Sequence, residues 1–471
     1  MSHWIVAPVV LPAVLAAILT LAMRYHPSLQ RVFSIAGVVA VLAVTIGLTV
    51  QAASGTIEVY ELGNWPAPFG IVLVLDRLSA LMILVTAVLA LLVLLYAVGT
   101  GWDQRGNNFH ALYQFQLMGI FGAFLTGDAF NLFVFFEVLL IASYGLMIHG
   151  GGRRRLKADL AVRAAEIPVE DSALLRVGAM LLFLVFAIKA ALLPLHFWLP
   201  ETYAEAPAPV AALFAIMTKV GAYAILRMYT LVFGPDLGAT AALIDQMLIY
   251  AALITLVAGM VGILGAKRLG RLAAFAAIGS MGTLLIALAG FRPETTAAAL
   301  YYMIHSTLAG ALLFLVVDLV RERRGPLAGA FLPGPRMAQH GMIAALFFGA
   351  AIATAGMPPL SGFIGKLLIL DAVRGMDEVW LIWAVILATS LVAILGLSQA
   401  GSAIFWKLAP ETGEEPAPAP QPALPLVACF AMLGAIVALS ALAGPVMDYI
   451  DATALQLHAP EGYIAAVLNG G

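Results

Sequence analysis

The sequence predicts an all-α polytopic membrane protein of about thirteen transmembrane helices, and three observations carry the prediction. Of 471 residues, 63% are hydrophobic and only 11% are charged, and the mean hydropathy is +1.01. A water-soluble fold of this size cannot hide so much apolar side chain, because much of its surface must stay wet. The apolar residues fall in continuous runs near 20 residues long, the length of a membrane span. They do not alternate over about 10 residues as barrel strands do. Finally, 44 glycines and 25 prolines suit closely packed membrane helices.

The expected helices lie near 4–24, 32–53, 77–99, 110–127 and 129–149, then 173–199, 207–232, 244–266, 270–290 and 296–320. The last are 341–373, interrupted, then 379–407 and 425–446. This places three N-terminal helices in 1–109, a first group in 110–232, a second in 244–407, a linker at 408–424 and a last helix at 425–446. Residues 54–76 have alternating β-prone residues with Glu58, Glu61 and Asp76, and predict a small hairpin. Residues 150–171 are polar. Residues 410–424 (PETGEEPAPAPQPAL) read as a Pro/Ala/acidic linker.

Lys plus Arg is 24 and Asp plus Glu is 26, which supplies no basic face for nucleic acid. The single cysteine, Cys429, excludes an intrachain disulfide and any multi-cysteine metal or iron–sulfur site within the chain. No cofactor or metal is expected. The start, Met1 to Trp4, has no basic region, and no small-residue cleavage site follows the first apolar run. That run is expected to stay as an anchor.

Basic loops set orientation. Arg24 and Arg31, then Arg153, Arg154, Arg155 and Lys157, would be cytoplasmic if the N-terminus is outside. The hairpin would then be external. Beyond residue 171 the rule fails. Lys267, Arg268 and Arg271, and Arg321, Arg323, Arg324 and Arg336, count to the outside. One more crossing between 150 and 172 would put both groups back inside. Yet that stretch carries Arg163, Glu166, Glu170 and Asp171, each costly at mid-bilayer. By charge alone the chain reads as lacking one helix; the alternative is that later charges do not dictate orientation.

Ionisable groups inside spans are functional hypotheses by default. Glu137 in FNLFVFFEVLLIASYG is about 12 Å into its helix at 1.5 Å per residue. A carboxylate there must be protonated, paired or hydrated. Lys189 in LVFAIKAALLPLHFWLP precedes Pro194, which frees a backbone carbonyl; the alternative is a lysine snorkelling to the surface from a helix end, beside His196 and Trp198. Lys219 lies mid-span, and Arg227, two turns on, reads as an interface anchor. His305 in LYYMIHSTLAGALLFL is mid-span, equally consistent with a relay and with a satisfied core group. Lys366 in AGMPPLSGFIGKLLILDAV follows a break at Pro358, Pro359 and Gly362. Two broken helices bearing lysines suit a transporter of inverted repeats. The five form a candidate polar axis along which protonation of one group biases the next. No nucleophile with its base, phosphate loop or metal cluster is present, so no enzymatic activity is expected.

TGDAFNLFVFFEVLLIASYGLMIHGGG, KAALLPLHFWLPETYAEAPAPVAALFAIMTKVGAYAILR, YYMIHSTLAGALLFL and MPPLSGFIGK closely resemble the D subunit of Mrp-type multisubunit cation/proton antiporters. That family is similar to the antiporter-like subunits of respiratory complex I, and the resemblance covers nearly the whole chain. It implies fourteen helices in a bacterial inner membrane, with two inverted five-helix repeats and two broken helices. Partners would be other Mrp subunits, with H+ and Na+ or K+ as the ions. Motif by motif, Glu137 falls on the fifth-helix glutamate and Lys189 on the seventh-helix lysine paired with it. Lys219 falls on the eighth-helix lysine, His305 on the eleventh-helix histidine and Lys366 on the twelfth-helix lysine. In complex I relatives a lysine follows the histidine by four residues. Ala309 stands there in this chain, so the central relay would lean on His305 and water.

The sixth helix of the family has no counterpart. Lys157-Ala158 runs straight into DLAVRAAEIP, and roughly 30 residues, one span plus a connection, are absent. The resemblance thus implies a monovalent cation/proton antiporter subunit supplying the proton path. The rivals are a proton-translocating subunit of a complex I-like or hydrogenase redox complex, and a degenerate copy inactivated by the missing helix.

Overall fold

The computed structural model describes residues 3–67, 69–105, 108–147, 173–233, 244–407 and 422–468. The polar stretch with the triple arginine, on which the expectation of a missing sixth helix falls, lies outside these residues, as does the linker over 408–421. The chain divides into two compact units, one of Met1–Leu181, Tyr223–Ala241 and Asp451–Gly471, the other of Leu182–Ala222 and Ala242–Ile450.

The first unit begins with α1 (Ala7–Leu21) and α2 (Pro27–Ala52), each with proline in its first turn, where the missing N–H is no loss. The expected hairpin forms: β1 (Glu58–Glu61) pairs antiparallel with β2 (Val72–Leu75). Then come α3 (Arg77–Thr100), α4 (Phe109–Leu125) and α5 (Ala129–Met147). Asp76 opens α3 with a reciprocal capping box, its side chain accepting from the Ser79 amide while Ser79 accepts from the Asp76 amide. Gly119 and Gly122 let α4 lie against α5, since a Cβ on either would strike Leu139 or Phe135.

The second unit takes in the end of α6 (Ala173–Lys189), α7 (Trp198–Glu205) and the start of α8 (Ala208–Leu231). The rest is α9 (Asp245–Gly265), α10 (Leu269–Leu288), α11 (Pro293–Arg324), α12 (His340–Ala355), α13 (Ser361–Ala372), α14 (Val379–Gly401) and α15 (Leu424–Ala441). Helix α11 is the buried centre, with α10, α12, α13 and α15 packed against it.

Among the described residues eight helices are long and apolar enough to cross a bilayer, and three shorter apolar ones accompany them. The chain is thus a mostly helical, multi-pass membrane protein. Several expected boundaries differ; helix α2, for one, starts at Pro27 and not near 32. The run over 173–199 ends as a helix at Lys189. The run expected to finish near 446 stops at Ala441, and two further helices follow, α16 (Ala443–Leu457) and α17 (Pro460–Leu468). These two carry Asp448, Asp451, Gln456 and Glu461, too polar to read as spans. Helix α17 belongs to the first unit and packs Tyr463 and Val467 on Val72 and Val74 of the hairpin.

Candidate functional site

Both helix breaks end on the same backbone device. At the first, the Leu192 amide donates to the Ala187 carbonyl and the Ala191 amide to that of Ile188, with Ala191 at φ 54°. At the second, the Met357 amide donates to Ile352 and the Gly356 amide to Ala353, with Gly356 at φ 75°. This crossed pair closing on a left-handed residue satisfies the last carbonyls of a helix. So the first break is set four residues before Pro194. Pro194 lies in the loop beyond, just as Pro358 and Pro359 lie in the loop before α13. Within that first loop, the Leu193 amide donates to Thr255 Oγ1 at 2.9 Å and Trp198 Nε1 to the Ile188 carbonyl at 2.9 Å.

Each break has a lysine near the end of the helix before it. Lys189 is the last residue of α6. Lys366 comes after its break, yet its Nζ reaches back and donates to the carbonyl of Ala355, the last residue of α12, at 2.7 Å. It also donates to Ser390 Oγ at 2.8 Å. The Lys366 ammonium thus lies at a helix C-terminus, where the carbonyl dipoles favour a cation. Gly356 makes the second arrangement possible. A Cβ there would lie 2.7 Å from Lys366 Cδ, on a backbone that L side chains rarely adopt.

His305, from the middle of α11, joins the same break. Its Nδ1 lies 2.9 Å from Ser361 Oγ in the first turn of α13, and its ring interacts with the backbone of Ala353. A side chain at Gly362 would occupy the space of its Nε2.

Lys219 is 1% exposed. Among the described residues it has no hydrogen bond or ion pair. It lines a cavity of about 20 Å³ with Ser280, Tyr302, His305, Ser306 and Thr354. Thr354 Oγ1 is buried with no hydrogen-bond partner, so the cavity is polar as well as roomy enough for one water molecule.

The second unit therefore brings Lys219, His305 and Lys366 together around the α12–α13 break, and it also holds Lys189 at the other. Glu137 lies in the first unit, half-buried on α5. Arg227 is no interface anchor. It is 9% exposed, and its Nη1 and Nη2 donate to Asp76 Oδ2 at 2.5 Å and Oδ1 at 2.9 Å. The hydroxyls of Thr354, Ser361 and Ser390 are additions to the expected set. Of these only Ser361, within the Pro358–Gly362 break, has a visible signal.

Residues 164–392 match the family model described as the NADH:quinone oxidoreductase/Mrp antiporter transmembrane domain. The chain is similar to the D subunit of a probable K+/H+ antiporter of Rhizobium meliloti, 35% identical, covering 100% of this chain and 98% of that one. It is also similar to the D subunit of the Na+/H+ antiporter of Alkalihalophilus pseudofirmus, 36% identical over all of both chains. That alignment runs to 507 positions for 471 residues, leaving about 36 positions of it with no counterpart here. A solved Mrp complex from a Dietzia species has the same fold, with a TM-score of 0.84 at 24% identity over 99% of this chain and 100% of that one. The chain belongs to the family of D subunits of multisubunit Mrp-type cation/proton antiporters.

Proposed function

We propose that the chain supplies a transmembrane proton path in a Na+/H+ or K+/H+ antiporter complex of a bacterial inner membrane, assembled with other membrane subunits. On this reading Lys219, His305 and Lys366 exchange protons through the cavity and the hydroxyls of Ser361 and Ser390. Glu137 and Lys189 form the earlier part of the path. The two broken helices belong to two inverted repeats, 110–232 and 244–407. The convergence of Lys219 and His305 on one polar cavity beside Lys366 carries the proposal. Groups that titrate, and whose charges act on one another across a few side chains, can pass protonation along.

The test is transport by the whole complex in inverted vesicles from a host stripped of its own antiporters. With a respiratory proton gradient established, adding Na+ or K+ should dissipate it. A gradient that ignores both cations, alongside proton pumping coupled to an added reductant, would favour a redox-complex subunit instead.

The alignment gap favours a second reading, in which the shorter first repeat leaves this copy inactive. Tags placed beside Arg154 and Arg268 decide it. If both face the cytoplasm, the chain makes the extra crossing and the antiporter reading stands. Tags on opposite faces would leave the second half inverted relative to the family and this copy without a continuous path.

A further inference from the structure

A second polar feature of the second unit has no part in the proton path. The carboxyl end of α7, the α9–α10 turn and the end of α11 enclose a cavity of about 420 Å³ lined by Lys267, Arg268, Arg271 and Arg321. Among the described residues Glu205 is the one carboxylate on its wall. Arg271 pairs with Glu201, and Arg321 Nη1 donates to the Ala204 carbonyl at 3.3 Å. Among the described residues the side chains of Lys267 and Arg268 have no partner. Four cations against Glu205 and Glu201 leave an excess of positive charge. Helix α10 also begins here without a side-chain cap, so the positive end of its dipole adds to the field.

The cavity opens at the end of an apolar stripe. Met247, Tyr250, Ile254, Val257, Val261 and Leu264 are all exposed on α9. Their spacing alternates between three and four residues, which keeps them on one face. The stripe is about 26 Å long at 1.5 Å per residue, more than the about 15 Å of one leaflet's hydrocarbon. It ends one residue before Gly265 on the cavity wall.

We infer that this is a binding site for an anionic phospholipid. Its phosphate sits among Lys267, Arg268 and Arg271, and an acyl chain lies along the α9 stripe. Charge complementarity selects the occupant. A zwitterionic headgroup would bring its own cation into a pocket already in excess of positive charge, whereas an anionic one completes it. Phe275, also on the wall, lies at the junction of headgroup and chain.

Native mass spectrometry of the full-length protein, purified in mild detergent and titrated with phosphatidylglycerol or phosphatidylcholine, tests the site. Wild-type protein should retain phosphatidylglycerol about five- to thirtyfold more tightly, the effect of one to two added cation contacts. Lys267→Gln with Arg268→Gln should remove the preference. Because these charges also bias topology, Glu205→Gln is the safer companion; it keeps every cation and should strengthen phosphatidylglycerol retention severalfold. Equal retention of both lipids by wild type would overturn the proposal. So would displacement of phosphatidylglycerol by inorganic phosphate alone, which would mark the pocket as a free-anion site. Acquisition of the preference only when neighbouring subunits are removed would overturn it too, since the pocket would then belong to a protein interface.

Discussion

Asp76→Ala is expected to destabilise the first unit by about 3–5 kcal/mol, the cost of leaving one partner of a buried ion pair uncompensated. Asp76 is 2% exposed and does two jobs. It caps α3 and holds both terminal nitrogens of Arg227. The guanidinium is otherwise bounded by the Tyr223 hydroxyl at 3.3 Å from Nε and the Tyr463 ring at 5.1 Å. Tyr223 in turn donates to the Phe124 carbonyl at the end of α4 at 2.8 Å. The pair therefore ties α3, α4, α8 and α17 at one point. Equilibrium unfolding in mixed micelles should show the loss. The double variant Asp76→Leu with Arg227→Met should recover much of it, because no charge is then left buried alone. An Asp76→Ala protein as stable as wild type would refute the ion pair.

The same pair predicts an acid dependence. Burial by itself would raise the Asp76 carboxyl, but the charge and hydrogen bonds of Arg227 outweigh it, with Ser79 adding to them, and hold it below the ordinary carboxylate range. An acid whose pKa is lower folded than unfolded contributes its full stability above its unfolded value, about 3.9. The contribution is lost as pH falls through the depressed folded value. Wild-type protein should thus lose stability below about pH 4 more steeply than the double variant. Asp103 follows the same pattern. Burial opposes its ionisation, while hydrogen bonds from His110 and Arg31 prevail and lower it.

The spans and the hairpin were legible because each rests on a local period or composition: apolar runs of bilayer length, and alternation between 54 and 76. Glu137, Lys189, Lys219, His305 and Lys366 stood out because a charge inside such a run is conspicuous by itself. Partners were not legible. Asp76 and Arg227 are 151 residues apart, and nothing periodic joins them, although Asp76 and Ser79 do spell a capping box. The reach of Lys366 back to Ala355 depends on how sharply the chain turns at Gly356. In sequence the two lysines stand in opposite order, one before its break and one after; the turn at Gly356 nonetheless lets Lys366 reach the end of the helix before its break. Helices α16 and α17 are not legible as spans because neither holds a long apolar run; α17 instead packs Tyr463 and Val467 on the hairpin.

Lys219 and Lys366 are expected to lose transport alike and to differ in stability, and that difference tests what each amine does. Lys366 is satisfied by Ala355 and Ser390. Lys366→Met strands a buried carbonyl, at a cost of about 1–3 kcal/mol. Lys219 has no such bonds among the described residues, and burying an amine without a partner is itself costly. Lys219→Met, similar in length and apolar, should therefore leave the protein as stable as wild type or more so, while cation-driven dissipation of the proton gradient falls to background. A group kept at the expense of stability has a reason outside folding, and release of a proton is the reason the cavity with His305 supplies. Lys219→Arg separates charge from titration. Its guanidinium keeps the positive charge but does not deprotonate in a protein, so transport should be lost with the charge in place. Retained transport in the arginine variant would mean that Lys219 acts as a fixed charge and that the proton passes elsewhere.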